Sequence, residues 1–419
     1  MIYSLNGQSP LRQTSNAAGR ASISQIHTLR VLAMLGVFLH HLWNTVILTP
    51  VGSLQWGLDV IFDTASDGVI LFNVLSGFLL ALPYLGPERR TFIGYGNFLH
   101  RRFLRIIPPY YLALLPFSLA NILIFHVPLD SALRTLLLHL GFLNSFDYSM
   151  MASNFSHFWY LGMLAQFYLL FPFFLRFFER VGSNKAIVWI VAMCWIGWAG
   201  LNAYLSLHPE SSLGMVEYLM HFNLPGRLPE FAAGMWLASR WTSSAPALRT
   251  AIFDRPFTLV FLAMLAGIVL GTPFLGRLGM PWTHMYHVSL CMVLVVPLIL
   301  WTPVAALGKK GFIQKLSVYS YAIYIVHEPL FSYVGVMPNK VPHTLSIFLV
   351  LALLLLALSY LAATALDRVS GEMLKKYTDW KKYVQAGVHI LKIPLKISRG
   401  SSAPEKVLAA KPACDRCKK

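Results

Sequence analysis

Apolar residues along the chain gather in ten runs, separated by polar or Pro/Gly-containing breaks. Runs of about 20 apolar residues match a helix crossing a bilayer. The runs lie near 29–50, 67–85, 104–126, 158–178, 186–207, 225–239, 257–275, 284–307, 316–337 and 344–366. The sixth is short and opens on Leu224-Pro-Gly-Arg-Leu-Pro-Glu230. A further apolar stretch, 131–144, is too short to cross and is expected to lie at the interface or to re-enter. The fold class this predicts is all-α, a polytopic integral membrane helix bundle of about ten transmembrane helices.

Composition agrees. Hydrophobic residues make up 56% and charged residues 12%, against about 25% charged in soluble domains. The net charge of +17 would suit a nucleic-acid partner, but its distribution gives another reading. Arg12 and Arg20 precede the first run, Arg89, Arg90, Arg101 and Arg102 follow the second, and Arg180 and Lys185 follow the fourth. Arg240, Arg249 and Arg255 follow the sixth, and Lys309, Lys310 and Lys315 follow the eighth. Alternate loops hold almost none, with Arg134 alone in 127–157. The positive-inside rule then puts both termini in the cytosol of a multi-pass plasma-membrane protein. The basic excess also draws anionic lipid headgroups, and no nucleic acid is required.

Three regions follow: a cytosolic tail over 1–28, a ten-helix membrane domain over 29–366, and a basic tail over 367–419. The polar residues before 29 do not read as a cleaved signal peptide. The last region has 13 Lys/Arg against 5 Asp/Glu; part of it can lie on the inner membrane surface, and its end is expected to be disordered. Cys414 and Cys417 form a single CxxC there, and without a second pair no metal site is expected.

Ionisable groups inside a span mark functional paths. Arg30 and His41 lie 11 residues apart in the first run. That spacing puts them about 20° apart on one helix face and roughly 16 Å apart along the axis. With Arg30 at the cytosolic surface, His41 reaches the middle of a ~30 Å hydrocarbon core. By the same counting Ser76, Gln166 and the pair His327-Glu328 lie at a similar depth. Each of these, taken alone, also fits a polar contact that fixes helix packing. Imidazole can take a hydroxyl proton near neutral pH, and Glu328 can orient or charge-compensate it. Arg101, Arg102 and Arg105 cluster at helical spacing beside Pro108, Pro109 and Tyr110. Guanidinium groups there suit an anionic cytosolic ligand such as nucleotide phosphates, and the two prolines are expected to break or kink the helix. Arg227 and Glu230 are one turn apart, suiting a structural ion pair or an acceptor contact.

In matching order over about 25–366, these residues resemble acyltransferase family 3. The likeness is carried by the Arg30–His41 spacing, Leu71-Phe-Asn-Val-Leu-Ser-Gly-Phe78, and Arg101-Arg-x-x-Arg105-x-x-Pro108-x-Tyr110. Trp159-Tyr-Leu161 with Gln166-Phe-Tyr-Leu-Leu-Phe-Pro172, and Ser320-Tyr-Ala-Ile-Tyr-Ile-Val-His327, complete it. The resemblance implies an integral-membrane O-acyltransferase with a ten-helix core. It implies an acyl-CoA donor, acetyl-CoA above all, reached from the cytosol, and transfer to a hydroxyl of a carbohydrate or lipid-linked glycan. Some members act instead on secondary metabolites such as macrolides. The family's important histidine corresponds to His41, its first-helix arginine to Arg30, and its arginine cluster to Arg101, Arg102 and Arg105. Asn73 stands where the family often has a second phenylalanine, and Tyr160 and Leu164 stand where it often has serine and glutamate. The residues after 366 are too few for the esterase-like domain fused to some members, so a stand-alone transferase is expected.

The candidate set is thus His41, Arg30 and Glu328 for catalysis, and Arg101, Arg102, Arg105 and Tyr110 for the donor. Ser76, Trp159, Gln166, Arg227, Glu230 and His327 act in substrate contact or support. Ser76 could carry the acyl group, but direct transfer is the preferred route. A transporter or flippase for a sugar or lipid would use the same midplane groups, and only a transferase would release CoA from acetyl-CoA.

Overall fold

The computed structural model describes residues 23–45, 54–86, 89–152, 155–208, 214–241, 302–335 and 345–391. The seventh predicted span, all but the end of the eighth, the N-terminal tail to residue 22, and the tail beyond 391 with Cys414 and Cys417 lie outside them. Every regular element described is helical. In chain order these are α1 (Ser24–Thr45), α2 (Gln55–Thr64), α3 (Gly68–Leu85), α4 (Tyr95–Ile124), α5 (Leu129–Leu140) and α6 (Trp159–Val181). Then come α7 (Ser183–Leu207), α8 (Gly214–Phe222), α9 (Leu224–Arg240), α10 (Thr302–Gly308), α11 (Gly311–Gly335) and α12 (Leu345–Leu391). Short 3₁₀ turns connect α2 to α3 and α5 to α6. The chain divides into two compact units, Met1–Leu374 and Lys375–Lys419.

Six of the described segments are long and apolar enough to cross a bilayer: Ser24–Thr45, Gln55–Leu85, Tyr95–Ile124, Ser156–Val181, Ser183–Leu201 and Leu345–Trp380. Their outer faces remain apolar. Leu115, Leu119 and Leu123 on α4, and Trp189, Met193 and Ile196 on α7, are all exposed at helical spacing. Stripes of this kind suit hydrocarbon rather than water.

Two loops expected from the sequence are helices. Residues 55–64 form α2, because one edge of it has partners on α1. Trp43 stacks on Phe62 at 4.3 Å between ring centroids, its indole N–H donates to Asp59 Oδ1 at 3.1 Å, and Val60 is buried. Residues 214–222 form α8, which packs on the start of α9. The Pro108-Pro109 pair does not break α4, which runs unbroken from Tyr95 to Ile124. Neighbouring helices can satisfy the backbone groups such prolines free, and the Tyr321 hydroxyl donates to the Ile106 carbonyl at 3.2 Å in that turn. Between α6 and α7 the chain reverses at Gly182, whose φ of +87° is open to glycine at little cost.

The tightest seam joins α3 to α9. A Cβ at Gly77 would meet the Phe231 carbonyl oxygen at 2.2 Å, and one at Gly234 would meet the Val74 carbonyl oxygen at 2.0 Å. Small residues let helix backbones approach this closely. Alongside, α1 packs against α3 and α11, so Arg30 and His41 of α1 face the same interior as Tyr324 and His327.

Candidate active site

A cavity of about 140 Å³ opens among α1, α3, α4, α6 and α11. Arg30, Arg102 and Arg105 line it together with Ser76, Tyr160, Tyr168, Ser320, Tyr321 and Tyr324. Three guanidinium groups from two helices thus share one concavity with hydroxyls opposite. The Arg102 guanidinium lies 5.5 Å from the centre of the Phe98 ring, which holds it in place. The Tyr160 hydroxyl is hydrogen-bonded to Ser76, so the residue standing where the family often has serine still contributes a hydroxyl. Arg101 is exposed and outside the cavity lining. Tyr110 is fully buried, with its hydroxyl donating to the His139 carbonyl at 3.1 Å; neither it nor Arg101 reaches this cavity.

One helical turn past Tyr324, α11 presents His327 and Glu328 to His41. Nδ1 of His41 lies 2.9 Å from Nε2 of His327, and the two rings are nearly parallel, 6° apart, with centroids at 5.1 Å. Nδ1 of His327 lies 2.7 Å from the Tyr324 carbonyl oxygen. A carbonyl only accepts, so His327 Nδ1 carries the proton and, in the neutral ring, its Nε2 is a lone pair. His41 must then donate from Nδ1, which leaves Nε2 as its basic nitrogen. The carboxylate of Glu328 stands 3.6 Å from His41 Nδ1, near enough to compensate a proton gained by that ring.

Glu328 is itself held. Ser156 donates its hydroxyl to one carboxylate oxygen. The backbone N–H of His157 donates to the other at 3.0 Å, and the His157 ring Nδ1 lies 2.7 Å from that same oxygen. His157 Nε2 faces the Ile325 carbonyl at 3.2 Å, and the Tyr324 hydroxyl donates to the His157 carbonyl. Sequence reasoning did not single out His157. It precedes the fourth apolar run by one residue, and only the folding of the 3₁₀ segment onto α11 brings it to Glu328. His41 keeps 23% of its side chain exposed while that of His157 has none, so of the two it is His41 that a substrate can reach.

His40 points elsewhere. Its Nδ1 lies 3.1 Å from the Phe62 carbonyl and 3.9 Å from Asp63 Oδ1, toward α2. The equal depth expected for Gln166 does not place it with the histidines. Its amide instead donates to Ser145 Oγ at 3.1 Å and Asn223 Oδ1 at 2.6 Å and accepts from the Leu224 N–H at 3.2 Å. Depth along a helix says nothing about which face a side chain takes. Arg227 and Glu230 form a buried ion pair at 3.0 Å, closed by Asn73 donating to Glu230 at 2.5 Å and by Trp159, whose ring lies under the Arg227 guanidinium at 5.3 Å. That group ties α3, α6 and α9 together. Among the described residues no cluster of three or more His, Cys, Asp or Glu could hold a metal ion.

A basic pocket for an anionic group, next to an oriented imidazole with a carboxylate behind it in an apolar helix bundle, is equipment for group transfer. A family model described as an acyltransferase domain matches residues 23–364, and the protein is a membrane acyltransferase. The chain belongs to acyltransferase family 3. No curated protein and no solved structure matches it.

Proposed function

We propose that this protein is an O-acyltransferase that moves an acetyl group from acetyl-CoA to a hydroxyl of a carbohydrate or lipid-linked sugar in the plasma membrane. The donor binds with its phosphates against Arg30, Arg102 and Arg105, from the cytosolic side where both termini lie in a ten-span topology. Its thioester extends past Tyr324 toward His41. Nε2 of His41 takes the proton of the acceptor hydroxyl as that oxygen attacks the thioester carbonyl. The tetrahedral adduct collapses, the C–S bond breaks, and CoA leaves as a thiolate that takes the proton held on His41. Glu328 balances the imidazolium in between, as the orienting carboxylate does in other acyl-transfer sites. Ser76 stays a hydroxyl of the cavity wall and carries no acyl group.

The observation that carries this reading is the chain from the Tyr324 carbonyl through His327 to His41, which leaves Nε2 as the basic nitrogen of His41 while a carboxylate stands beside its Nδ1. The test is CoA release from acetyl-CoA by the purified protein in detergent, with and without acceptor. The unaltered protein should release CoA, and His41→Ala should release it about 10²–10⁴-fold more slowly. A protein that binds a sugar but never releases CoA would instead be a carrier.

A further inference from the structure

Three rings from three helices close one side of the arginine cavity. Phe72 of α3, Tyr160 of α6 and Tyr324 of α11 all line it. Their centroids lie 6.2 Å apart for Phe72 and Tyr160, 6.4 Å for Phe72 and Tyr324, and 5.5 Å for Tyr160 and Tyr324. Every pair is tilted or edge-on, within the ~4.5–7 Å of favourable aromatic contact. The triangle is closed.

The histidines lie directly behind it. The Tyr324 ring is 5.6 Å from that of His327 and 5.4 Å from that of His157, and His327 stacks on His41 at 5.1 Å. Among the described residues that line the cavity, neither His41 nor His327 is found. Tyr324 is thus the partition between cavity and histidines, with Phe72 and Tyr160 beside it on the cavity side. The order along α6 agrees. Tyr160, Leu164 and Tyr168 follow one helix face at four-residue steps, and all three line the cavity. Tyr168 is within electrostatic reach of Arg30, Arg102 and Arg105, and Tyr160 lies eight residues away, roughly 12 Å along the axis. The cavity therefore runs from guanidinium groups at Tyr168 to rings at Tyr160.

Two of the rings are fixed at their far ends. The Tyr160 hydroxyl is hydrogen-bonded to Ser76, and the Tyr324 hydroxyl donates to the His157 carbonyl. Both side chains are also buried, so neither has space to swing aside in a close-packed interior. Only Phe72, half-buried and apolar, is held by packing alone. We infer that Phe72, Tyr160 and Tyr324 set the length of the acyl group, admitting a two-carbon chain to His41 and stopping chains of four carbons or more. The inference rests on the transferase reading above, in which the thioester passes Tyr324.

Full-length protein in detergent is given acetyl-CoA, butyryl-CoA or hexanoyl-CoA with methyl β-D-glucopyranoside, and CoA release is followed by thiol titration. The unaltered protein should favour acetyl-CoA over butyryl-CoA by at least about tenfold in kcat/KM, since one methylene in a pocket is worth roughly 10- to 200-fold. Tyr160→Ala should reduce that preference about tenfold or more. Tyr160→Phe keeps the ring and loses only the bond to Ser76, so its preference should stay within about twofold of the unaltered protein. Phe72→Ala has no hydrogen bond to lose and should reduce the preference as well, which carries the test if Tyr160→Ala does not fold. Equal use of acetyl-CoA and butyryl-CoA by the unaltered protein overturns the inference. So does an unchanged preference in the folded alanine variants, or a shift in Tyr160→Phe as large as in Tyr160→Ala. Absence of CoA release from all three donors is a separate result: it removes the transferase reading, and the inference with it.

Discussion

His40 and His41 are neighbours in sequence, yet one residue step rotates a side chain about 100°, and they serve different partners. His41 meets His327 and Glu328, whereas His40 bonds the Phe62 carbonyl on α2. If His41 is the general base, His41→Ala should lower turnover per folded molecule about 10²–10⁴-fold, while His40→Ala stays within about tenfold of the unaltered protein. Thermal unfolding in detergent is the control, because a purely structural pair would lose stability together and activity only in proportion. The tautomer argument makes a finer prediction at His327. His327→Gln keeps a carbonyl oxygen that can accept from His41 Nδ1, whereas His327→Leu does not, so the glutamine variant should retain at least about tenfold more kcat. Equal kcat in the two variants would mean that His327 only fills space. The Arg30–His41 spacing and the His327-Glu328 pair were legible in the sequence as polar groups at membrane depth. His157 was not, because a histidine outside an apolar run carries no depth or face signal of its own.

At the level of helices, two contacts can be tested without reference to catalysis. The α3–α9 seam has no room for a side chain at Gly234, so Gly234→Leu must push two backbones apart. A loss of at least about 1–3 kcal/mol is expected, seen as a lower unfolding temperature and less folded protein. The Arg227–Glu230 pair is buried from end to end, and Glu230→Ala would leave a guanidinium there with no counter-charge. About 3–5 kcal/mol should be lost, with the KM of acetyl-CoA nearly unchanged in whatever protein folds. A large rise in that KM would bring the pair into the binding site. The arginine cavity is the converse case. Arg102→Ala or Arg105→Ala should weaken acetyl-CoA binding roughly ten- to a hundredfold while leaving unfolding unaltered, since charge-assisted contacts are worth about 1.5–3 kcal/mol each. Unchanged affinity in both would reduce these arginines to topology signals. Ser76-Gly77 shows why single motifs read ambiguously from sequence. The glycine serves helix contact while the serine one position earlier lines the cavity.

For the molecule as a whole, topology is the quantity to measure. Reporter fusions at Gly86 and Gly308 should read cytosolic, and fusions near Ser53 and Ser211 extracytoplasmic. A cytosolic signal at Ser211 would remove the inverted sixth span and with it the depths counted along the helices. Much of this organisation needs no tertiary information. Run length follows from bilayer thickness and backbone hydrogen bonding, so the all-helical class, the sites of most spans and the family resemblance are properties of the linear sequence. Helical periodicity likewise determines that Arg30 and His41 share a face and that His40 does not. What it cannot determine is which faces meet. Gln166 has the right depth but turns to Asn223 and Ser145. Tyr110 follows the arginines by a few residues but ends in the core against His139. The segment 55–64 becomes a helix only because Trp43 and His40 are there to receive it. Burial of one residue depends on neighbours tens or hundreds of positions away, and so the gathering of His41, His157 and His327 with the Glu328 carboxylate was decided by packing, not by pattern.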